Sequence, residues 1–535
     1  MQVFLTLLIS IFITLIYANT AESGVNPDDV KITFGKQEDI LIRGGVVVNA
    51  DMQFKSDVLI KNGKIAQVGL NILSPGARIL NATGMYVMPG GIDPHVHFEL
   101  PFMGTVSKDD FLSGTQAAVA GGTTFVMDFA IPLGREISPL EAFEQYKKLG
   151  EAKSVCDFGL HVAITKLNQD GDREKIVRDM AEVVKRGVNS FKFFMAYKGT
   201  LQIEDHDLIR AFALARELGA ISMVHAENGD LVQEGQRKLL RQGIHGPEGH
   251  SFSRPPEVEA EAVHRASVIA NQVGAPLYVV HVMSQAAMEE IARAKAKGYR
   301  IVGEAIAAGL TLNETAVFDR DWNRAARYVM SPPIRSIDDQ HALVNGLKTR
   351  TLDLVGTDHC TFDTEQKRLG VDDFTKIPNG VNGIEERMTA LFDRLVHTGK
   401  LTPSDYVRVT STEAAQIFNI YPQKGVIAVG SDADVILLDP SKKKVVYHTE
   451  HHINIDYNVY DHWSFWGSVE TTISNGRIVW NNGTLYTEQG TGRFVPTPAF
   501  GKMFHGLESE TFHSSDYFAG HSNGKKKGVN RNGSY

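Results

Sequence analysis

Residues 190–196 read SFKFFMA and residues 220–226 read AISMVHA, two short apolar runs typical of buried β-strands. Between them Leu208 and Phe212 recur with other apolar residues at helical spacing, and Gly219 then ends the predicted helix. The same alternation continues from about residue 90 to residue 421. The further strand-like runs are TTFVMDF (123–129), PLYVVHV (276–282), YRIVGEA (299–305) and LDLVGTD (352–358). Alternation over this length predicts a parallel (β/α)8 barrel.

Both ends of the chain carry a different, purely β-type pattern. Residues 40–88 contain short β-branched runs with an Asn62-Gly63 hairpin signal, and residues 424–503 contain two more Asn-Gly turns. We therefore expect one small β-sandwich domain built from 40–88 and 424–503, with the barrel of 89–423 inserted into it. Residues 504–535 are polar and rich in Gly, Ser and Lys, which predicts a disordered tail.

Composition excludes several classes of protein. Hydrophobic residues make up 43% and charged residues 22% of the 535 positions, which excludes a wholly disordered chain. The 55 basic and 63 acidic residues give a net charge of −8, which argues against a nucleic-acid-binding surface across the whole protein. Cys156 and Cys360 are too few for a disulfide framework or a thiolate zinc site. Any bound metal must therefore be held by nitrogen and oxygen.

The N-terminal segment carries a targeting signal in our interpretation. Val3 to Tyr17 is almost wholly apolar but shorter than the roughly 20 residues that a membrane-spanning helix needs, and Ala18 and Ala21 follow it. We interpret residues 1–21 as a signal peptide, which implies the secretory pathway or an extracellular location. No Lys or Arg precedes the run, so the alternative is an N-terminal extension that tethers the protein or has no role. We expect no membrane span in the mature chain.

Histidines and an aspartate stand at the ends of the strand-like runs. His95 and His97 lie in GGIDPHVHFE, where residues i and i+2 of an extended strand share one face. His225, His281 and Asp358 end three further runs. The carboxyl ends of barrel strands converge on the active site, and burying so many polar groups without a metal would be costly. These five residues are therefore predicted to hold metal.

Two further histidines, His161 and His359, fit supporting roles better than ligation. His359 follows Asp358 directly and points to the opposite face if the strand continues, and His161 lies inside FGLHVAI.

Lys192 is the unusual member of the group, because it lies inside the apolar run SFKFFMA, where an unpaired ammonium is costly. Two interpretations remain open from the residues alone. The lysine could have added CO2, giving an anionic carbamate that can bridge two metals. It could instead be a buried structural lysine paired with an acid such as Asp128 or Glu304.

Eight segments closely resemble the dihydropyrimidinase/hydantoinase family of amidohydrolases, in order and over about residues 40–500. They are MPGGIDPHVHFELPFMGTVSKDDF (88–111), FKFFMAYKG (191–199), MVHAENGD (223–230), YVVHVMSQ (278–285), VMSPPIR (329–335), GTDHC (356–360), NGIEERM (382–388) and KGVIAVGSDADV (424–435). Five of these segments carry the six predicted ligands, and FKFFMAYKG with NGIEERM separates this branch from dihydroorotases and allantoinases. Family members are usually cytosolic, so the apolar N-terminus leaves the localisation open.

The resemblance implies a complete site. It implies two zinc ions per subunit, bridged by a carboxylated Lys192 and a hydroxide, in a homotetramer. One metal would take His95, His97 and Asp358, and the other would take His225 and His281. Substrate contacts carry over to Tyr197, Ser331 and Asn382. Asp358 is the predicted proton shuttle, and Tyr197 the predicted donor to the developing oxyanion.

The reaction that the resemblance implies is hydrolysis of the cyclic amide of 5,6-dihydrouracil and 5,6-dihydrothymine to N-carbamoyl-β-amino acids, a step of pyrimidine degradation. Two alternatives stand beside it. The first is a related amidohydrolase whose main substrate is a hydantoin. The second is a non-enzymatic scaffold like the collapsin response mediator proteins, which lack most of the metal ligands. All six ligand positions are filled here, which favours an enzyme.

Overall fold

The computed structural model describes residues 38–132, 137–167 and 173–507. The predicted signal peptide (1–21) lies outside these residues, as does the predicted tail from residue 508 onward. Among the described residues, no helix has both the length and the apolar composition needed to cross a bilayer.

The chain begins its described part with five strands of an outer sheet. They are β1 (Ile40–Val48), β2 (Gln53–Lys61), β3 (Lys64–Gly69), β4 (Arg78–Asn81) and β5 (Tyr86–Pro89). Strands β2 and β3 pair antiparallel across Asn62 and Gly63, whose φ angles are 52° and 75°. Two residues with positive φ form the type of tight turn that matches the twist of a hairpin, so the Asn-Gly prediction is confirmed.

Eight parallel strands form the barrel, hydrogen-bonded in chain order. They are β6 (Gly91–Val96), β9 (Thr123–Ala130), β10 (Asp157–Ala163), β11 (Ser190–Phe194), β12 (Ile221–His225), β13 (Leu277–Val279), β14 (Ile301–Ile306) and β15 (Leu354–Gly356). A small hairpin, β7 (Pro101–Phe102) and β8 (Thr105–Val106), follows β6. The six strand-like runs of the sequence all fall on strands of this barrel.

The barrel closes at the point where the first and last strands meet. Val96 pairs in parallel with His359, just beyond β15. The amide of Asp358 donates to the carbonyl of His95 at 2.9 Å, and the amide of His97 donates to the carbonyl of His359 at 2.9 Å. Closure of the barrel therefore brings the HxH strand directly beside Asp358.

Four strands near the other end of the chain complete the outer sheet. They are β16 (Val435–Val445), β17 (Ser464–Ser474), β18 (Arg477–Asn481) and β19 (Thr484–Leu485). Strand β16 pairs antiparallel with β5, so both chain ends contribute to one nine-stranded sheet. The two remaining Asn-Gly pairs turn β17 into β18 and β18 into β19. The predicted fold class, a barrel within a β-domain made of both chain ends, is confirmed.

Helices surround the barrel and bury their apolar faces against its strands. The α-helices are Phe111–Ala120, Pro139–Lys153, Arg173–Lys185, Asp205–Glu217, Gly229–Arg241, Glu248–Phe252, Pro256–Gln272, Gln285–Ala296, Ala307–Thr311, Trp322–Ala326, Ile337–Thr349, Thr364–Lys367, Arg387–Leu391, Pro403–Val407 and Glu413–Ile417. Short π-helical stretches, Phe392–His397 and Arg408–Thr412, continue two of them. Gly219 and Gly298 follow two of these helices with φ of 71° and 80°, as their sequence positions predict.

Candidate metal centre and active site

A cavity opens at the carboxyl ends of the barrel strands. All six predicted ligand residues line it, although they come from five different strands or the turns that follow them. These residues are His95, His97, Lys192, His225, His281 and Asp358. Tyr197 and Ser331 line the same cavity. The convergence follows from the parallel topology, since every strand of such a barrel delivers its carboxyl end to one face.

The first ligand group consists of His95, His97 and Asp358. Their ligand atoms all lie within 4.8 Å of one another, and all three residues are buried. The Nε2 atoms of His95 and His97 each lie 3.1 Å from Oδ1 of Asp358. Burial lowers the pKa of His97 to about 4, so its imidazole is neutral near pH 7 and can offer a lone pair.

Glu304 holds His95 of this group in place, a role that its position in the sequence does not indicate. One of its oxygens, Oε2, lies 3.0 Å from Nδ1 of His95 and accepts the backbone N–H of His281 at 3.1 Å. Burial alone would lower the pKa of His95, but the charges of Glu304 and Asp358 outweigh it and raise that pKa to about 9. The pocket thus favours positive charge at this position, as a cation site does.

The second ligand group consists of His225 and His281. Nδ1 of His225 lies 2.9 Å from Nε2 of His281. Two nitrogens that share one tetrahedral zinc at about 2.0–2.1 Å stand roughly 3.3 Å apart, so the observed spacing suits a common ion. On its other side, Nε2 of His225 contacts Glu227 at 2.8 Å.

Glu227 is held in turn by Arg254, whose guanidinium donates to it at 2.7 Å. Burial alone would raise the pKa of Glu227, but Arg254 and His225 outweigh it and lower that pKa to about 2. A carboxylate behind a ligating imidazole fixes the tautomer and the ring orientation. Glu227 and Glu304 are the orienting residues that the sequence analysis missed, because isolated acids carry no pattern.

Lys192 occupies strand β11 and is 1% exposed. Its Nζ lies 4.7 Å from the centroid of the Phe129 ring and 5.3 Å from that of Phe194. Burial lowers the pKa of Lys192 to about 7, and the charges of Asp358 and Glu304 only partly offset that effect. Within the described residues, no ion pair involves this lysine.

The acid partners considered for Lys192 are engaged elsewhere. Asp128 accepts the backbone N–H groups of Phe98 and Phe129 at 2.9 and 2.6 Å. Glu304 holds His95 and the amide of His281. The geometry therefore gives no support to a structural ion pair at Lys192.

The donor set fits metal ions. Buried donor atoms face one another in both groups: Nε2 of His95, Nε2 of His97 and Oδ1 of Asp358 in the first, and Nδ1 of His225 and Nε2 of His281 in the second. Buried polar atoms of this kind are costly unless something satisfies them. Imidazoles and carboxylates, with no thiolate in the group, are donors that zinc accepts in catalytic sites.

Three residues of this site have a strained backbone conformation. Tyr197, His281 and Asp358 have φ angles of 64°, 37° and 55°, in the left-handed region that side chains other than glycine rarely adopt. Such conformations cost about 1–3 kcal/mol each and persist where the surrounding structure imposes them, typically at functional sites.

The predicted substrate contacts divide into two groups. The Tyr197 hydroxyl hydrogen-bonds to Ser331 and Asn379, and Asn379 donates to Oγ of Ser331 at 2.9 Å. The side chain of Asn382 instead donates to Asn458 at 2.9 Å and accepts from a backbone amide. Only the backbone of Asn382 is left for substrate, whereas Asn379, three residues earlier, lines the cavity.

His161 and His359 have the supporting positions expected of them. The ring of His161 contacts Ser190 Oγ at 2.6 Å and the Pro94 carbonyl at 3.0 Å. The ring of His359 contacts Asp109 at 3.0 Å and accepts the amide of Gly383 at 3.1 Å. Both nitrogens of each ring are therefore engaged away from the cavity.

A barrel with such a donor set at its carboxyl edge is typical of the amidohydrolases, and comparison with known proteins agrees. The model of the amidohydrolase family matches residues 86–479. A dihydropyrimidinase of Dictyostelium discoideum is 51% identical over 88% of this chain and 93% of its own length. The chain therefore belongs to the amidohydrolase family, in its branch of dihydropyrimidinases and hydantoinases. It is a hydrolase acting on cyclic amides.

Solved structures agree with this assignment. The crystal structure of a dihydropyrimidinase from Brevibacillus agri matches with a TM-score of 0.84 and 40% identity, covering 87% of this chain and all of that one. A D-hydantoinase structure matches with a TM-score of 0.83 and 38% identity, covering 86% of this chain and all of that one.

Proposed function

We propose that this enzyme catalyses the zinc-dependent hydrolysis of 5,6-dihydrouracil and 5,6-dihydrothymine to N-carbamoyl-β-amino acids. The observation that carries the proposal is the convergence of six ligand side chains and Tyr197 on one cavity. The likeness to dihydropyrimidinases over most of the chain supports the choice of substrate.

Two zinc ions would be held by two sets of side chains. His95, His97 and Asp358 would hold one, and His225 with His281 would hold the other. When bound, such a pair polarises the amide carbonyl and lowers the pKa of water toward neutrality. Glu304 and Glu227 would keep the imidazoles oriented, since each contacts a ring nitrogen of one ligand.

Lys192, carboxylated on Nζ, would lie between the two sets. An amine must lose its proton before it adds CO2, and burial lowers the pKa of Lys192 to about 7. A substantial fraction of the amine is then neutral near physiological pH. The carbamate would carry one negative charge shared by two oxygens, which suits a position between two cations.

The proton transfers would fall to Asp358. Burial alone would raise its pKa, but His95 and His97 outweigh it and hold that pKa well below the usual range, so the group is ionised at pH 7. Asp358 would accept a proton from the attacking water and return it to the ring nitrogen as the C–N bond of the amide breaks. The water oxygen ends in the new carboxylate, and the nitrogen leaves as part of the carbamoyl group.

Tyr197 would donate to the oxyanion that forms on the amide carbon. Burial raises the pKa of Tyr197 to about 12, so the phenol keeps its proton. Ser331 and Asn379, which its hydroxyl contacts, would hold the imide edge of the ring. The contact predicted at Asn382 would use its backbone groups. A homotetramer, as the family resemblance implies, is the proposed assembly.

The proposal is tested by measuring kcat/KM on a six-membered ring substrate, dihydrouracil, and on a five-membered one, hydantoin. The ratio of kcat/KM for dihydrouracil to that for hydantoin should exceed unity. A ratio well below unity would assign hydantoin as the main substrate, and absence of turnover on both would favour a scaffold. The likeness to a D-hydantoinase structure is the reason for including the five-membered ring.

A further inference from the structure

Lys367 is a second buried lysine close to the substrate cavity, at the end of the helix Thr364–Lys367. It is 1% exposed. Its Nζ donates to three backbone carbonyl oxygens, those of Pro378 at 2.7 Å, Gly380 at 2.8 Å and Val329 at 3.0 Å. Burial lowers the pKa of Lys367 to about 7, but only the ammonium form has the three N–H donors that these three carbonyls accept.

The three carbonyls belong to the two segments that carry the proposed substrate contacts. Pro378 and Gly380 flank Asn379 on both sides, and Val329 precedes Ser331 by two residues. The amide of Gly380 also donates to the carbonyl of Val329 at 2.9 Å. Lys367 therefore links the segment that contains Ser331 to the segment that contains Asn379, at the point where both reach the cavity.

The hydrogen bonds of Lys367 fix the distance between Ser331 and Asn379, and recognition of the substrate depends on that distance. Asn379 donates to Ser331 at 2.9 Å, and both contact the Tyr197 hydroxyl. A shift of either backbone would separate these polar groups and spoil their fit to a flat imide edge. Nζ of Lys367 also lies 5.7 Å from the Phe362 ring, a further contact that holds the ammonium in place.

We infer that Lys367 is a positioning residue for substrate specificity, which sets the spacing between Ser331 and Asn379 without touching the substrate. This inference rests on the proposed function for the identity of the substrate. It extends that proposal because Lys367 belongs to neither ligand set and does not line the cavity.

The test compares Lys367→Met with the control Lys376→Met. Methionine keeps the length of the stem and removes the charge and all three donors. Lys376 lies in the same part of the chain, but its side chain is 68% exposed. In the zinc-loaded holoenzyme, Lys367→Met should raise KM for dihydrouracil by about 10- to 100-fold, since hydrogen bonds to charged groups are individually strong. The turnover number should stay within about threefold and the zinc content should not change. The control should match the wild type.

Hydrogen exchange gives a readout that needs no substrate. Amides of residues 328–332 and 379–383 should exchange faster in Lys367→Met than in Lys376→Met, while amides of strands β9 to β12 should not change. If the wild type does not hydrolyse dihydrouracil, the proposed function fails, yet the exchange result still decides the role of Lys367.

Two further variants test whether Lys367 acts through the contact between Ser331 and Asn379. In an Asn379→Ala background, Lys367→Met should raise KM by less than it does alone, because both act through one contact. If Lys367→Met does not fold, Lys367→Arg should still show faster exchange in both segments, since a planar guanidinium cannot aim three donors from one point. Unchanged exchange and KM in a folded Lys367 variant, or a loss of zinc with a falling kcat, would overturn the inference.

Discussion

Two buried lysines at different places in the molecule show how environment decides the use of one residue type. Lys424 is 2% exposed and contacts Asp434 at 2.5 Å, Asp157 at 2.9 Å and Asp432 at 3.1 Å. Burial alone would lower the pKa of Lys424, but these three carboxylates outweigh it and raise that pKa above its ordinary value. Lys424 is a fixed cation of the fold.

Lys192 is buried to the same degree but faces aromatic rings and the cavity instead of carboxylate partners. Its pKa is lowered to about 7, chiefly by burial. Asp157 lies at the start of β10, whereas Lys192 lies in β11 with its head at the functional cavity. Thus the lysine whose head faces aromatic rings and the cavity is the one available for chemistry, whereas Lys424 is held by its carboxylates.

Replacing Lys192 should have the largest effect on turnover. Lys192→Ala should lose bound zinc, and activity should fall by at least about 10⁴-fold, since metals contribute several kcal/mol to the transition state. Zinc content and dihydrouracil turnover are the measurements. Added acetate or propionate should restore part of the activity by replacing the carbamate. Lys192→Arg should not respond, because the guanidinium fills the space and stays charged. Two zinc ions and normal turnover in Lys192→Ala would make this lysine structural after all.

Asp358→Asn should keep the fold and lower kcat by about 10⁴-fold, the upper end for a general acid–base group, because the residue is also a proposed ligand. Stopped-time assays at saturating substrate measure the loss. Near-normal turnover would remove Asp358 from the proton transfers.

Tyr197→Phe should lower kcat by about 10²–10³-fold, the usual cost of one oxyanion donor. KM should change much less, because the aromatic ring and its packing remain. A large rise in KM with kcat intact would instead make Tyr197 a ground-state contact.

Lys424→Met should have little effect on turnover and a large one on stability. Three buried carboxylates would lose the cation that they share, although Asp157 keeps Arg493 and Asp432 keeps Lys64, and the free energy of unfolding should fall by roughly 3–5 kcal/mol. Urea unfolding measures the change, and kcat of the folded fraction should stay within about twofold. Lys442→Met is the matched control, since its side chain is 54% exposed and its ion pair with Glu470 should contribute at most about 1 kcal/mol. If Lys424→Met lowered kcat as much as Lys192→Ala does, the distinction between a structural Lys424 and a functional Lys192 would be wrong.

The barrel, and the convergence of the candidate ligands on one cavity, could be predicted because they follow regular patterns. The strand-like runs ending at His225, His281 and Asp358 lie on parallel strands, whose carboxyl ends must meet. The pairing of His95 and His97 follows from the alternation of side chains in a strand.

The parts that could not be predicted depend on residues whose positions follow no strand or helix periodicity. Glu227 and Glu304 orient the imidazoles, but an isolated acid looks the same whether it faces a ligand or solvent. Asn379 and Asn382 share a loop between Pro378 and Gly383, and backbone contacts to Lys367 help to set which of them faces the cavity. Contacts between residues distant in sequence, such as the pairing of β5 with β16, also follow only from the fold.

The central claim is that the cavity holds two zinc ions that hydrolysis of the ring amide requires. Elemental analysis of the purified wild-type protein, paired with a dihydrouracil assay before and after chelation, tests it most directly. The account predicts two zinc ions per chain. It also predicts that turnover disappears when the metal is removed and returns when zinc is restored. A protein that binds no metal, or one whose turnover survives complete removal of metal, would contradict it.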